Sequence, residues 1–197
     1  MQKSLTFFLL LFPFLPSLCQ DFSYADSVNN NRSKYVKEHE VVKGSDKKQM
    51  SFFPVDENYR VTTRVEIIED APWFSMETSS DKKKPYRVYA ILHFKLSNKE
   101  LKLHVYQSKD LMKVAAYADH LFIPFIDETS GDESYENGRY IDLTISDITN
   151  GGYLLDFNKA YNPYCAYVSN KYSCPVPPKE NHLPVAIKAG DKKMAAH

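Results

Sequence analysis

The densest group of chemistry-bearing side chains lies between residues 127 and 140. There Asp127, Glu128, Asp132, Glu133 and Glu136 surround a single cation, Arg139. Five acids in one loop first suggest calcium, but the EF-hand spacing fails. Thr129 and Gly131 stand at positions three and five from Asp127, and Asp132 replaces the glycine that the loop requires. Arg139 is more specific. Its planar fork either pins the loop through an Arg–Asp pair or receives a carboxylate or phosphate bidentately. Asp127, Asp156 and Glu180 are candidate paired carboxylates for acid–base work. No GxSxG, HExxH, GxGxxG or phosphate-cradling glycine loop occurs. The sequence therefore nominates no hydrolase triad, and no cofactor is expected.

Histidines and tyrosines supply the other polar chemistry. His93 and His104 fall on two alternating stretches joined by Ser97-Asn98-Lys99-Glu100. Reading these four as the loop sets Leu96 against Leu101 and His93 against His104, Cβ atoms about 5 Å apart. Two histidines so placed could bind a metal with a third ligand. Lys95 and Lys102 flank them and would repel a cation, so the expectation is two polar side chains on a wet face and no metal. Seven of the 14 tyrosines cluster at positions 135, 140, 153, 161, 164, 167 and 172. An apolar body with a polar tip suits a ligand pocket as well as the rim of a small domain.

The elements that must position these groups read mostly as strands. Val61, Thr63, Val65 and Ile67 alternate with polar residues, as do residues 86–96 and 101–106. Trp73 to Thr78, Leu121 to Ile126, Tyr140 to Ile145, Tyr153 to Phe157 and a last piece at Val185 to Ile187 complete the set. Pro124 argues for an edge or a bend in its strand. Short helices are expected from Ser33 to Val42 and from Asp110 to His120. Tyr161-Asn162-Pro163-Tyr164 and Cys174-Pro175 with Pro177-Pro178 mark a long ordered loop region. The fold expected is mainly β, with α+β as its variant: an antiparallel open barrel or sandwich with one or two short helices.

The first residues read as an address. Lys3 precedes the apolar run from Leu5 to Leu15, whose 11 residues make only about 16 Å of helix against roughly 30 Å of hydrocarbon. Ser17 and Cys19 then offer small side chains for cleavage before Gln20. A lipidated Cys19 is the rival, disfavoured by bulky Leu18 beside it. Removing residues 1–19 leaves 197 − 19 = 178 residues. The organisation expected is a signal peptide at 1–19, a polar segment at 20–50, one β-rich domain at 51–193 and a tail at 194–197. The protein would be periplasmic or secreted, with no stable membrane span after cleavage. Cleavage also leaves an even pair, Cys165 and Cys174, expected to form a disulfide in an oxidising compartment. The alternative two-thiolate metal site lacks the short CxxC spacing of zinc sites. The 25 Lys and Arg offset 25 Asp and Glu, so no basic field favours nucleic acid.

The second half resembles a bacterial domain-of-unknown-function family, number sixteen-eighty-four. Leu121-Phe122-Ile123-Pro124-Phe125 with Asp127, Thr129-Ser130-Gly131 and Gly138-Arg139-Tyr140 to Asp142 carry the likeness. So do Asp156-Phe157-Asn158, Ala160-Tyr161-Asn162-Pro163, Cys165-Ala166-Tyr167, Cys174-Pro175 and Glu180-Asn181 to Leu183. Phe53-Pro54-Val55-Asp56 and Tyr59-Arg60-Val61 extend it, so that it covers roughly residues 50–193. His182 takes the place of an expected Arg. The resemblance implies no activity. It does single out Asp127, Thr129, Arg139, Tyr140, Asp156, Asn158, Tyr161, Asn162, Glu180 and Asn181 as one set. The expectation is that several line a cleft formed by residues 127–142 and 156–181, binding a small polar or anionic ligand. Arg139 would be the anion clamp, Asp127 or Glu180 a base, and Tyr140 and Tyr161 the walls. A hydrolase or lyase using the same carboxylates is the second reading, and a structural or protein-interaction domain the third.

Overall fold

The computed structural model describes residues 23–194. The expected signal peptide, and Cys19 with it, lie outside the described residues. Seven strands form one antiparallel sheet that curls into a half-barrel. They are β1 (Arg60–Ile67), β2 (Phe74–Met76), β3 (Lys84–Leu96), β4 (Lys99–Ser108), β5 (His120–Phe125), β6 (Arg139–Thr144) and β7 (Gly152–Asp156). The order across the sheet is β6-β5-β4-β3-β1-β7, with β2 sharing the β1 side of β3. Inside the curl, Leu92, Leu103, Leu121, Ile123, Phe125, Leu155 and Phe157 are fully buried.

Among the described residues there is one α-helix, α1 (Tyr24–Glu38), whose cap Ser23 lies ten residues before the expected cap Ser33. Ser23 and Asp26 make a reciprocal capping box that fixes this start. The helix expected over Asp110–His120 is two short 3-10 turns, Leu111–Lys113 and Ala115–Tyr117. Met112, Val114 and Tyr117 are left exposed there, so no apolar face exists to hold a longer helix.

The hairpin register also differs from expectation. Leu96 pairs with Lys99, so the turn is the two residues Ser97 and Asn98, both at positive φ (50° and 61°). That conformation matches the right-handed twist of the strands it joins. His104 consequently faces Ile91, and His93 faces Lys102 rather than His104. His93 instead meets Glu66 at 2.8 Å. Among the described residues no three His, Cys, Asp or Glu side chains gather at metal-ligand spacing.

A bulge between Val88 and Ala90 breaks the β3–β4 ladder. An extra residue in one strand reverses the face that later side chains occupy. Ala90, Leu92, Phe94 and Leu96 therefore point into the main core, while Tyr86 and Val88 join Met76, Tyr106, Phe122 and Tyr140 in a second cluster. On β4, β5 and β6 the members of that cluster adjoin core residues in sequence, as Tyr106 follows Val105 and Tyr140 precedes Ile141. The second cluster thus lies on the opposite side of the sheet.

Beyond Phe157 the chain is irregular, punctuated by 3-10 turns. Val185 to Ile187 is no strand. It runs beside residues 126–128 through bonds such as Glu128 N–H to the Val185 carbonyl (3.1 Å). Its alternation reports one buried face, since Leu183, Val185, Ile187 and Ala189 all enter the core. Cys165 and Cys174 are joined by a disulfide, Cα atoms 6.3 Å apart.

Pro124 sits inside the sheet, between β4 and β6, rather than at an edge. It lacks the N–H that a ladder needs. β4 and β5 share only the Tyr106–Phe122 pair, and the Asn181 side chain fills the gap beside it. Its Oδ1 accepts from the His104 N–H (2.7 Å), while Nδ2 donates to the carbonyls of His104 (2.9 Å) and Pro124 (2.7 Å).

Candidate functional site

A cleft of about 940 Å³ opens between α1, strand β6, residues 157–164 and the disulfide-bound residues 172–175. Tyr140 and Tyr161 form its back wall, continuous with the second aromatic cluster. Their rings meet edge to face at 5.8 Å, and their backbones exchange hydrogen bonds of 2.9 and 3.0 Å. The Tyr161 hydroxyl donates to Asp142 at 2.8 Å, and the Tyr140 hydroxyl donates to the Pro175 carbonyl. Burial pushes both phenols well above their ordinary pKa, so they stay protonated as donors. Tyr35, Tyr164 and Tyr172 add further aromatic surface, Tyr35 from the helix.

Arg139 does not line this cleft. It is fully buried, beneath the C-terminal stretch. Its Nη2 donates to Asp127 Oδ2 (2.7 Å) and the Ile187 carbonyl (2.8 Å), and Nη1 to the carbonyls of Ala189 and Asp191. Asp127 Oδ1 in turn accepts from the N–H (2.8 Å) and hydroxyl (2.7 Å) of Thr129 and from the Ile187 N–H (3.2 Å). The Arg–Asp pair is thus a closed internal brace. Gly138 lies at φ 87°, and a Cβ there would sit 2.4 Å from the Phe125 carbonyl oxygen, so only glycine brings Arg139 inward at this point.

The other members of the ten-residue set are distributed by the same geometry. Asn158 lines the cleft and also ties residue 56 in place, exchanging bonds of 3.0 and 2.8 Å with the Asp56 backbone. Asp156 anchors the helix, accepting the Tyr24 hydroxyl at 2.8 and 2.9 Å. Asn162 stands behind the floor, Asn181 completes the sheet, and Glu180 is exposed on the surface. Of the set, Tyr140, Asn158 and Tyr161 border the cleft together.

Two residues that sequence reasoning missed make the floor. Asp191 is 4% exposed and borders the cleft. Its Oδ2 accepts from the Asn162 N–H (3.0 Å) and the Tyr167 hydroxyl (3.2 Å). Burial raises its pKa to about 7, more than the hydrogen bonds and the charges of Arg139 and Arg32 bring it down. Arg32 reaches in from α1, donating to the carbonyls of Phe53 (2.9 Å) and Asn158 (3.3 Å). The only local cue to Asp191 was the turn at Ala189-Gly190, where Gly190 has φ 77°.

The family pattern for a protein of unknown function, DUF1684, matches residues 46–192. The chain belongs to that family. Its helix α1 precedes the matched stretch, although it contributes Arg32 and Tyr35 to the cleft. The solution NMR structure of an uncharacterized protein of Haloarcula marismortui is similar, with 34% identity and a TM-score of 0.65 over 87% of this chain and 95% of that one. No curated protein matches.

Proposed function

We propose that this protein binds a small polar or anionic ligand in the cleft walled by Tyr140 and Tyr161. One observation carries the reading: the cleft of about 940 Å³ combines tyrosine walls with a buried aspartate that leaves one carboxyl oxygen uncommitted and a guanidinium on its floor. Ligand sites typically join an apolar, aromatic lining to a few convergent polar groups. The earlier roles shift accordingly. Arg139 positions the floor from behind, and Arg32 is the cation that a ligand meets.

A hydrolase or lyase in the same cleft is the second reading, favoured by the raised pKa of Asp191. A carboxyl titrating near neutrality is suited to proton transfer. Export of the mature chain is part of the proposal, supported by the Cys165–Cys174 bond and by the amino-terminal sequence pattern. Among the described residues no helix is long and apolar enough to cross a membrane.

A thermal-shift screen of sugars, carboxylates and metal ions against wild type and Tyr161→Ala tests the binding reading. A ligand at 100 times its Kd adds about 2.7 kcal/mol to stability. The expected result is stabilisation of wild type that is lost in the variant. A screen in which nothing stabilises the wild type removes the proposal.

A further inference from the structure

The two polar groups on the cleft floor feel each other's charge, yet no ion pair among the described residues joins them. Arg32 is fixed by two main-chain carbonyls and lies 5.0 Å over the Phe52 ring. Carbonyls and a ring orient a guanidinium but leave its charge, and the Nε–H of Arg32 has no partner at all. The Nε–H of Arg139 is likewise without a partner, but its charge is met by the Asp127 carboxylate at 2.7 Å, and no carboxylate stands so against Arg32. Both hydrogen bonds accepted by the Asp191 carboxyl fall on Oδ2, so Oδ1 takes none among the described residues. An unpaired cation and a half-satisfied carboxyl on one floor ask for different things. The first calls for an anion and the second for a hydroxyl.

We propose that the ligand carries both, and that the cleft takes a polyhydroxylated carboxylate with the chemistry of a sugar acid. The ligand's carboxylate lies against Arg32, and one of its hydroxyls donates to Oδ1 of Asp191. The carbon face of the ligand rests on Tyr161 and Tyr164. A guanidinium recognises carboxylate oxygens through charge-assisted bonds. A hydroxyl is the natural partner for a carboxyl that titrates near neutrality, because it donates to the ionised form and accepts from the protonated one. The raised pKa of Asp191 has a further effect. A carboxyl that is partly neutral at pH 7 repels a bound anion less than a full charge would. At the rim, Lys84 and Lys159 add positive charge, while Asp142 is engaged by the Tyr161 hydroxyl.

The proposal rests on the cleft reading and is narrower than it. Calorimetric titration with D-glucuronate, D-gluconate, D-glucose and succinate separates the two requirements. Glucuronate or gluconate is expected to bind at least about tenfold more tightly than glucose, which lacks the carboxylate, and than succinate, which lacks the hydroxyls. That factor follows from losing one charged hydrogen bond. Asp191→Asn and Arg32→Gln should each weaken the sugar acid about tenfold. Arg32→Lys keeps the charge and serves if the glutamine variant fails to fold. Glucose or succinate binding as tightly as the sugar acids overturns the proposal, as does failure of both sugar acids to bind. If the wider screen then finds another ligand whose effect disappears in Tyr161→Ala, the cleft reading survives alone. If it finds none, both fall.

Discussion

Arg139 holds the backbone carbonyl of Asp191 at 3.1 Å while the carboxyl of the same Asp191 forms the floor of the cleft. The two residues are 52 positions apart in the chain. A fully buried cation therefore places a group that it does not touch through its side chain. Its bonds to the carbonyls of Ile187, Ala189 and Asp191 fix the path of the chain that delivers the acid.

Truncation of this brace is expected to be costly. Arg139→Ala leaves Asp127 buried without its counter-charge, and breaking a buried pair in this way costs about 3–5 kcal/mol. Urea unfolding of wild type and variant measures it. A loss below about 1 kcal/mol would show that the C-terminal stretch is held by its apolar side chains alone.

The buried acid gives stability a definite pH dependence. Asp191 has a folded pKa near 7 against an ordinary value of 3.8. Between these values the folded protein keeps a proton that the unfolded chain has released. Stability should therefore fall as pH rises from about 4 to about 7, by about 1.4 kcal/mol per unit at most, and this contribution should be flat below. The charges facing the group are Arg32 from the helix and Arg139 from β6, with the Tyr167 hydroxyl on its other side. Urea titrations at pH 4, 5, 6, 7 and 8 on wild type and Asp191→Asn isolate the effect. The variant should lose this slope, and parallel curves would contradict the assignment.

Asn181 is expected to behave as a piece of the sheet. Its side chain makes three bonds, to both backbone groups of His104 and to the Pro124 carbonyl. Asn181→Ala strands these buried groups at about 1–3 kcal/mol apiece, moderated by any water that enters. Faster amide exchange at His104, whose N–H loses its acceptor, is the residue-level readout. Unchanged protection there would mean that the strands close over the gap unaided.

The disulfide should secure the rim of the cleft. In the chain-entropy model, closing the loop from Cys165 to Cys174 contributes about 2.7 kcal/mol. Cys165→Ser with Cys174→Ser should lower stability by that order and weaken ligand binding, because Tyr172, Ser173 and Cys174 line the cleft. Thiol labelling of the denatured, unreduced mature protein should find neither cysteine free.

Much of the architecture could be read from alternation, because burial of one sheet face imposes a period of two on β1, on β3 beyond its bulge and on β4 as far as Val105. What alternation does not carry is hydrogen bonding. Val185 to Ile187 alternates as a strand does, yet pairs only with the irregular residues 126–128. Register was lost by the two residues of the Ser97-Asn98 turn, since Ser at positive φ is an uncommon choice for such a turn. The site divides along similar lines. Asp127 and Arg139 sit in one loop, so their pairing was visible as a possibility in that segment. Arg32 and Asp191 reach the same floor from opposite ends of the described chain, and neither has a neighbour in sequence that marks it. Glycine was the only local hint, at the turn before Asp191.

The bulge in β3 has a consequence for how such a site arises. With strict alternation Tyr86 and Val88 would share the interior with Ala90 and Leu92, and the outer cluster would lose the members that β3 gives it. One supernumerary residue works as a frameshift in space. It lets a single strand furnish hydrophobic cover first to the outside and then to the inside, so that one sheet upholsters two compartments. Excising Tyr89 would bring Val88 next to Ala90 in a regular ladder, and both compartments would keep the linings they have now.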